Sequence, residues 1–281
     1  MKAPERFPLA QLPTPVERME RFSAALGGPE IWIKRDDQTG LATGGNKTRK
    51  LELLIGEALQ QGADVALTVG AVQSNHCRQT AAAAARAGLE CVLVLRGYAP
   101  PRERWTGNLL LNDLLGARLS WAEESDPLDA LADAASAQLA AGRQPYVIPY
   151  GGSNEVGAAA YALAFEEFWT QTGEASEGRR LRFDRVVFAS SSGGTHAGLV
   201  VGAKACGYEG QVLGISVDKT GGHLRETVSA LLVPTAERLG LDLSFGPQDV
   251  LVDDRFMGGG YAVLTDAERE AVRGVARSEG I

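Results

Sequence analysis

The stretch GGNKTRKL, residues 44–51, places a lysine at the start of a predicted helix. The two glycines permit positive φ angles or a close approach of the backbone to a ligand. Asn46 is predicted to cap the helix, which puts Lys47 in the first turn, where the helix dipole disfavours a cation. A positively biased, poorly hydrated site lowers the pKa of an amine, as Schiff-base chemistry requires. The alternative is a solvated lysine in a basic loop with Arg49 and Lys50.

A second candidate site follows the predicted strand Val65–Val69. Ser74 or Asn75 is a good N-cap for the alanine-rich helix Asn75–Ala87. The same helix N-terminus, together with His76, is equally suited to receive a carboxylate or a cofactor hydroxyl. Capping and ligand binding both stay open at this point.

A third candidate is the loop SSSGGT, residues 190–195, between a predicted strand and a predicted helix. Small hydroxyls and glycines at a helix start direct several N–H groups toward one point, which favours phosphate binding. The loop matches neither the dinucleotide fingerprint nor the P-loop pattern, which argues against a nucleotide. A generic glycine and serine turn is the alternative.

Two further glycine-rich loops are weaker candidates. Tyr261 follows three glycines and presents a phenol either to a site or to the edge of a sheet. The loop Gly151–Asn154 is another predicted helix start, with Ser153 or Asn154 as its cap.

Composition restricts the class of protein. The chain has 281 residues, of which 44% are hydrophobic, and a net charge of -7, which is typical of a soluble α/β protein. The acidic balance argues against nucleic acid, and no apolar run is long enough to predict a membrane span. Without a signal-peptide pattern the expected location is the cytoplasm. Three widely spaced cysteines predict buried thiols, and the spacing of the three histidines argues against a zinc site.

Short apolar strands alternate with helices along the chain, which predicts βαβ units and parallel sheets with helices on both faces. The length favours two lobes. A polar surface loop is predicted over Gln171–Arg182. The predicted strands are Glu30–Lys34, Val65–Val69, Cys91–Leu95, Arg118–Trp121, Tyr146–Ile148, Arg185–Ala189 and Val212–Val217. Besides the helices after Asn46 and Ser74, the predicted helices are Val16–Leu26, Glu103–Leu115, Pro127–Ala141, Val156–Thr170, Thr195–Cys206, Gly222–Leu239 and Asp266–Ser278.

Four of these segments together resemble the D-cysteine desulfhydrase and 1-aminocyclopropane-1-carboxylate deaminase family. They are WIKRDD at 32–37, GGNKTRKLE at 44–52, QSNHCRQT at 73–80 and SSSGGTHAG at 190–198. The resemblance runs from about Pro8 to Ile281. It implies a pyridoxal-phosphate enzyme with the tryptophan-synthase-β-like fold, known as fold type II.

The resemblance implies a role for each candidate residue and a homodimer acting on a small amino acid. Lys47 would hold pyridoxal 5′-phosphate as a Schiff base and move the Cα proton. Asn75 would bind the 3′-oxygen of the cofactor. Ser74, with the N–H groups of Asn75 and His76, would hold the substrate carboxylate, and Tyr261 would face the substrate. The phosphate would lie against Ser191, Ser192, Gly193, Gly194 and Thr195.

The implied domains are a larger cofactor-binding domain, residues 1–47 and 157–281, and a smaller α/β domain, residues 48–156. The cofactor would lie in the cleft between them. Family members usually continue beyond Gly280 with a strand and a segment that meets the pyridine nitrogen. The larger domain is therefore expected to be incomplete at its C-terminus.

The motif SNH at 74–76 favours the desulfhydrase branch, since the deaminase branch usually has SNQ there. The expected reaction is β-elimination of sulfide from D-cysteine to give pyruvate and ammonia. The alternatives are opening of 1-aminocyclopropane-1-carboxylate, elimination of sulfite from L-cysteate, and a truncated chain with little activity.

Overall fold

The computed structural model describes residues 1–2, 4–174, 181–261 and 263–281. Its strands are β1 Val16–Arg18, β2 Trp32–Lys34, β3 Val65–Gly70, β4 Glu90–Leu95, β5 Arg118–Trp121, β6 Pro145–Val147, β7 Arg185–Ser190, β8 Gln211–Ser216 and β9 Leu251–Asp253. Its α-helices are α1 Glu20–Leu26, α2 Lys47–Gln60, α3 Asn75–Ala87, α4 Gly107–Leu114, α5 Pro127–Ala140, α6 Glu155–Glu174, α7 Gly194–Ala205, α8 Gly221–Arg238 and α9 Asp266–Glu279.

A parallel sheet with the order β5-β4-β3-β6 lies in the first half of the chain. Its strands are apolar on both faces, because side chains alternate between two helical layers. Val65, Leu67 and Val69 pack in one cluster with Leu131 of α5. Ala66 points the other way, into the core that includes α2 and α3. The predicted arrangement of helices on both faces is confirmed for this sheet.

A second parallel sheet, with the order β7-β8-β9, lies in the second half of the chain. Helix α6 packs on α2, α7 and α8, so it joins the helices of the two sheets into one core. Its contact with α7 is very close, since a Cβ added at Gly198 would lie 2.1 Å from the carbonyl oxygen of Ala158. The α/β fold with parallel sheets is thus confirmed, while the predicted domain boundaries stay a prediction.

The predicted helix Val16–Leu26 is wrong in its first part. Val16–Arg18 is a strand that pairs antiparallel with β2, Val16 opposite Lys34. The helix begins only at Glu20. The pairing satisfies backbone groups through a partner distant in sequence, which a local pattern does not reveal.

Smaller differences concern the ends of elements. Helix α4 begins at Gly107, because Arg102–Arg104 forms a separate 3-10 turn. Helix α6 continues to Glu174, so the beginning of the predicted loop Gln171–Arg182 is helical, and residues 175–180 lie outside the described residues. Strand β9 was not predicted. No helix in the described ranges is long and apolar enough to cross a membrane.

Candidate active site

The loops that follow β3 and β7 meet the start of α2 around a cavity of about 460 Å³. Parallel strands direct their carboxyl ends to one edge of a sheet, which is where ligands bind in open α/β folds. The cavity wall brings together most of the predicted site residues. They are Lys47, Asn75, Ser191, Ser192, Gly193, Thr195 and Tyr261.

Lys47 is the first residue of α2, as predicted, and its side chain is half-buried. Burial lowers the pKa of its amine to about 8, because desolvation penalises the charged form. The Nζ atom donates to Oδ1 of Asn46 at 3.3 Å. The direction of this shift agrees with the prediction, with desolvation and not the helix dipole as its cause, and an amine with a lowered pKa is suited to nucleophilic attack.

The predicted capping role of Asn46 is wrong. Its backbone is already helical, with φ -61° and ψ -22°, and its side chain makes no capping bond. The N–H of Thr48 donates instead to Oε1 of Gln79 in α3, at 2.7 Å. The Asn46 amide is therefore free to face Lys47 and Asn75, whose Nδ2 lies 3.4 Å from its Oδ1.

Glycine is required at position 44, in the turn before α2. Its φ is +75°, and a Cβ there would lie 1.8 Å from the carbonyl oxygen of Asp37. No side chain fits at that distance, so the turn that delivers Lys47 to the cavity depends on this residue. The predicted use of glycine in this loop is confirmed.

A buried ionic network fixes α2 on its other side. Arg49 is 4% exposed and pairs with Asp36 at 2.9 Å and with Glu167 of α6 at 2.8 Å. Tyr161 donates to Asp36 at 2.8 Å and approaches the carbonyl oxygen of Asn46 at 3.1 Å. The alternative of a solvated basic loop is wrong, because these contacts hold the loop inside the protein.

Lys50 was not among the predicted site residues, although it lies one helical turn after Lys47. It is 1% exposed, and its Nζ donates to the carbonyl oxygen of Gly151 at 3.1 Å and to Ser153 Oγ at 3.3 Å. Burial, followed by the charge of Lys47, holds the pKa of its amine well below the usual range. In the sequence, the three-residue spacing that places Lys47 and Lys50 on one face of a helix was the signal that could have indicated Lys50.

Ser153 connects Lys50 to the loop at the start of α7. Its hydroxyl donates to Ser192 Oγ at 2.7 Å and accepts the backbone N–H of Gly194 at 3.2 Å. A Cβ at Gly194 would lie 2.7 Å from Ser153 Oγ, so the two loops touch there. Gly194 does not line the cavity and its N–H donates to Ser153, and its predicted role at the phosphate stays a prediction.

The remaining part of this loop is arranged to bind an anion. Ser191 Oγ is buried and makes no hydrogen bond of good geometry within the described ranges, although it lies near the phenol of Tyr150. Gly193 has a φ of +83°, and a Cβ there would lie 3.0 Å from Thr227 Cγ2. A helix N-terminus with an unused hydroxyl beside it stabilises a phosphate.

The side chains of Ser74 and His76 do not line the cavity. Ser74 caps α3 by accepting the N–H of Cys77 at 3.2 Å, so the capping interpretation is confirmed. The His76 ring is buried against β3, with Nε2 2.9 Å from Thr68 Oγ1. Burial, with smaller effects of Lys47 and Lys50, holds the pKa of the ring well below its usual value.

Tyr261 lies on the wall of the cavity and is 44% exposed. Burial raises the pKa of its phenol, which lies beside the phenol of Tyr150. A neutral phenol at the mouth of a cavity is able to donate a proton or a hydrogen bond to a ligand.

His196 is a further cavity residue that sequence reasoning missed. Its ring is completely buried in α7, with Nδ1 3.2 Å from Ser190 Oγ. Burial lowers the pKa of the ring to about 4, so it is neutral at physiological pH. Its ring contacts Phe188 edge-on, with the ring centres 5.0 Å apart, below the loop 191–195.

Residues 8–281 match the sequence profile of a family described as pyridoxal-phosphate dependent enzymes. The chain belongs to this family. Its cofactor is therefore pyridoxal 5′-phosphate, and the prediction of this cofactor is confirmed.

Solved structures support the same assignment. An ACC deaminase homologue shares 37% sequence identity with a TM-score of 0.88, covering 99% of this chain and 82% of that chain. A pyridoxal 5′-phosphate-dependent aspartate racemase shares 21% identity at a TM-score of 0.55, covering 77% of this chain and 60% of that chain. The processed form of threonine deaminase isoform 2 from Solanum lycopersicum shares 18% identity at a TM-score of 0.55, covering 72% of this chain and 50% of that chain. The last two show the fold alone, and fold type II is confirmed.

The residues of the cavity fit this cofactor. An amine with a lowered pKa, an anion-binding helix start with an unused buried hydroxyl, and the Asn75 amide line one wall. Lys47 would hold the aldehyde carbon, and the loop 191–195 would hold the phosphate. Lys50 lies next to that loop through Ser153 and adds a buried amine to the same region.

Proposed function

We propose that this pyridoxal-phosphate dependent enzyme is a lyase that eliminates sulfide from D-cysteine. The overall reaction converts D-cysteine and water into pyruvate, ammonia and hydrogen sulfide. The C–H bond at Cα and the C–S bond at Cβ break, and water replaces the amino nitrogen. The reaction therefore needs no external oxidant or reductant.

The observation that carries the proposal is the position of Lys47 in one cavity with Asn75 and the loop 191–195. The cofactor, when bound there, supplies an electron sink for the pair left at Cα. Lys47 is the base for the Cα proton, because its amine has a lowered pKa of about 8 and is therefore neutral in a larger fraction at physiological pH than an exposed lysine.

The other residues bind and orient. We assign the substrate carboxylate to the first turn of α3, at Ser74, Asn75 and His76, since a helix N-terminus favours an anion. The Asn75 side chain is assigned to the 3′-oxygen of the cofactor. Tyr261 is assigned to the departing sulfur, because its phenol lies on the wall of the same cavity and keeps its proton.

A deaminase acting on 1-aminocyclopropane-1-carboxylate is the second candidate. The 37% identity to an ACC deaminase homologue favours it. The His76 ring packs against Thr68, away from the cavity, so it does not discriminate between substrates by direct contact. The choice between the two reactions therefore depends on the other residues of the cavity wall.

The experiment is a product assay of the cofactor-loaded protein with four substrates. D-Cysteine is expected to release sulfide and pyruvate, with L-cysteine as the control for handedness. Release of 2-oxobutanoate from 1-aminocyclopropane-1-carboxylate would establish the second candidate, and release of sulfite from L-cysteate would establish a sulfo-lyase. Absence of any product from all four would contradict the proposal.

We also propose that the protein is a homodimer in the cytoplasm, acting on a small amino acid without a nucleic-acid or membrane partner. The support is the family resemblance and the net charge of -7. Light scattering on the eluted protein would test the dimer, and a monomer mass at micromolar concentration would contradict it.

A further inference from the structure

The start of α2 is held by a side chain from α3. Oε1 of Gln79 accepts the backbone N–H of Thr48 at 2.7 Å and the Thr48 hydroxyl at 2.9 Å. Nε2 of Gln79 donates to the backbone carbonyl oxygen of Asn75 at 3.1 Å. One buried amide thus joins the first turn of the helix that carries Lys47 to the first turn of the helix that carries Asn75.

The loop before α2 is shaped to admit this amide. Gly45 has a φ of +129°, and a Cβ there would lie 2.5 Å from Nε2 of Gln79. The hydroxyl of Thr39 bonds to the N–H of Gly45 at 2.9 Å and holds the loop from the other side. Gln79 itself is 0% exposed, so water does not replace its bonds.

The contact also determines the direction of the Asn46 side chain. Since Gln79 satisfies the N–H that Asn46 would otherwise cap, the Asn46 amide turns into the cavity. Its Oδ1 lies 3.3 Å from Nζ of Lys47 and 3.4 Å from Nδ2 of Asn75. The two residues assigned to the cofactor therefore share one acceptor.

We propose that Gln79, which lies outside the cavity, is the positioning residue that fixes Lys47 relative to Asn75. The inference rests on the proposed role of Lys47 in the reaction. Replacing Gln79 by an apolar residue removes the shorter acceptor of the buried Thr48 N–H, which keeps only a 3.3 Å contact with the carbonyl oxygen of Gly45, and it also removes the acceptor of the Thr48 hydroxyl. The first turn of α2 then loosens, and water reaches the Lys47 amine.

Titratable groups lie near Lys47 on α2, on α3 and on the cavity wall. Its own helix contributes Lys50, and α3 contributes His76, whose pKa the charge of Lys47 lowers. The cavity wall adds His196, Tyr261 and Glu268. Gln79 carries no charge, so its replacement by a neutral residue alters the hydration and position of Lys47 without changing the charges of these groups.

The test measures the pKa of the Lys47 amine in the protein without cofactor, by competitive acylation followed by peptide mass spectrometry. Gln79→Met is expected to raise this pKa from about 8 by about one unit, toward that of an exposed lysine. Its affinity for pyridoxal phosphate is expected to fall about tenfold. Gly45→Ala perturbs the same contact from the loop side and is expected to act in the same direction, even if Gln79→Met folds poorly.

Thr80→Val is the matched control, because Thr80 is 0% exposed, lies next to Gln79 on α3, and its hydroxyl has no bonding partner in the described ranges. It is expected to leave the pKa of Lys47 and the cofactor affinity unchanged. If Gln79→Met and Gly45→Ala match Thr80→Val in both readouts, the positioning role is wrong. If the unmodified protein does not hold the cofactor on Lys47, the proposed function fails, while the acylation comparison still decides the role of Gln79.

Discussion

The amine of Lys50 lies 3.3 Å from Ser153 Oγ, inside the protein and one turn from Lys47. Ser153 in turn bonds Ser192 and the N–H of Gly194, at the start of α7. The Ser153 hydroxyl thus connects the Lys50 amine to the loop assigned to the phosphate. A buried amine of this kind is costly without an anion near it.

The first prediction concerns Lys50→Met. Without cofactor the variant is expected to be at least as stable as the unmodified protein, because a poorly compensated buried amine is replaced by an apolar chain of similar length. Its affinity for pyridoxal phosphate is expected to fall about tenfold or more. Urea unfolding and cofactor titration measure the two effects. Lys2→Met, at an exposed position, is the control, and equal affinity in both variants would contradict the assignment.

The second prediction is that Lys47 contributes a rise of stability with pH in the protein without cofactor. The pKa of Lys47 is about 8 in the folded state, below its value in the unfolded chain. Between these two values the unfolded state binds more protons at Lys47, so the contribution of this side chain to the free energy of unfolding increases from about pH 8 to about pH 10. Lys50 shifts in the same direction. Burial raises the pKa of the Cys77 and Cys91 thiols and of the Tyr161 phenol, so these groups oppose the rise as the pH passes their values in the unfolded chain.

Chemical unfolding at several pH values measures this rise. In Lys47→Ala the part of the rise that belongs to Lys47 is expected to disappear, and the double variant with Lys50→Met is expected to rise less still, while Lys34, whose pKa burial also lowers, keeps its own contribution. A rise of the same size in all three proteins would mean that other groups are responsible.

The third prediction tests the loop at the start of α7. Ser191→Asp places a carboxylate where the phosphate is assigned, and Gly193→Asp adds a negative charge to the same loop at a residue with a φ of +83°, where a Cβ would also lie 3.0 Å from Thr227 Cγ2. Like-charge repulsion and strain are expected to weaken cofactor affinity by tenfold or more. Ser136→Asp, the same change on the exposed surface of α5, is expected to have no effect. Unchanged affinity in both loop variants would contradict this assignment and would favour the loop Gly151–Asn154 for the phosphate.

Much of this architecture could be predicted because local signals agree with the fold. Helix α3 has the predicted bounds Asn75–Ala87, since Ser74 provides a cap and the alanines favour a helix. The strand Val16–Arg18 was missed because its partner β2 is distant in sequence. Asn46 was misread because Gln79, supplied by another helix, takes over the capping. Tertiary contacts override local propensity at these positions.

The contrast between local sequence signals and tertiary contacts also applies to the candidate site. Asn75 and the loop 191–195 were predicted because their helix starts follow parallel strands, whereas Lys47 follows a strand of the antiparallel pair and was predicted from the glycines before α2. Lys50 was missed because its burial arises from the loop 151–153, which is about a hundred positions away in the chain. The side chains of Ser74 and His76 serve the cap and the sheet, which their motif did not reveal, and their role at the substrate carboxylate stays a prediction.

The fourth prediction concerns the ionic network behind α2. Glu167→Gln removes a charge that pairs with Arg49 at 2.8 Å and also with Lys34. Because Arg49 is 4% exposed, its charge is left partly uncompensated, and the free energy of unfolding is expected to fall by about 3 kcal/mol. Glu270→Gln on the exposed face of α9 is the control, with an expected change below about 0.5 kcal/mol. Equal stability of the two variants would mean that the network contributes little.

The most direct test of the central claim is to identify the lysine that holds the cofactor. The protein is incubated with pyridoxal phosphate, reduced with borohydride, digested and mapped by mass spectrometry. The label is expected on Lys47, and Lys47→Ala is expected to lose it while Lys50→Met retains it at saturating cofactor. A label on Lys50 or on any other lysine, with Lys47 unmodified, would contradict the account.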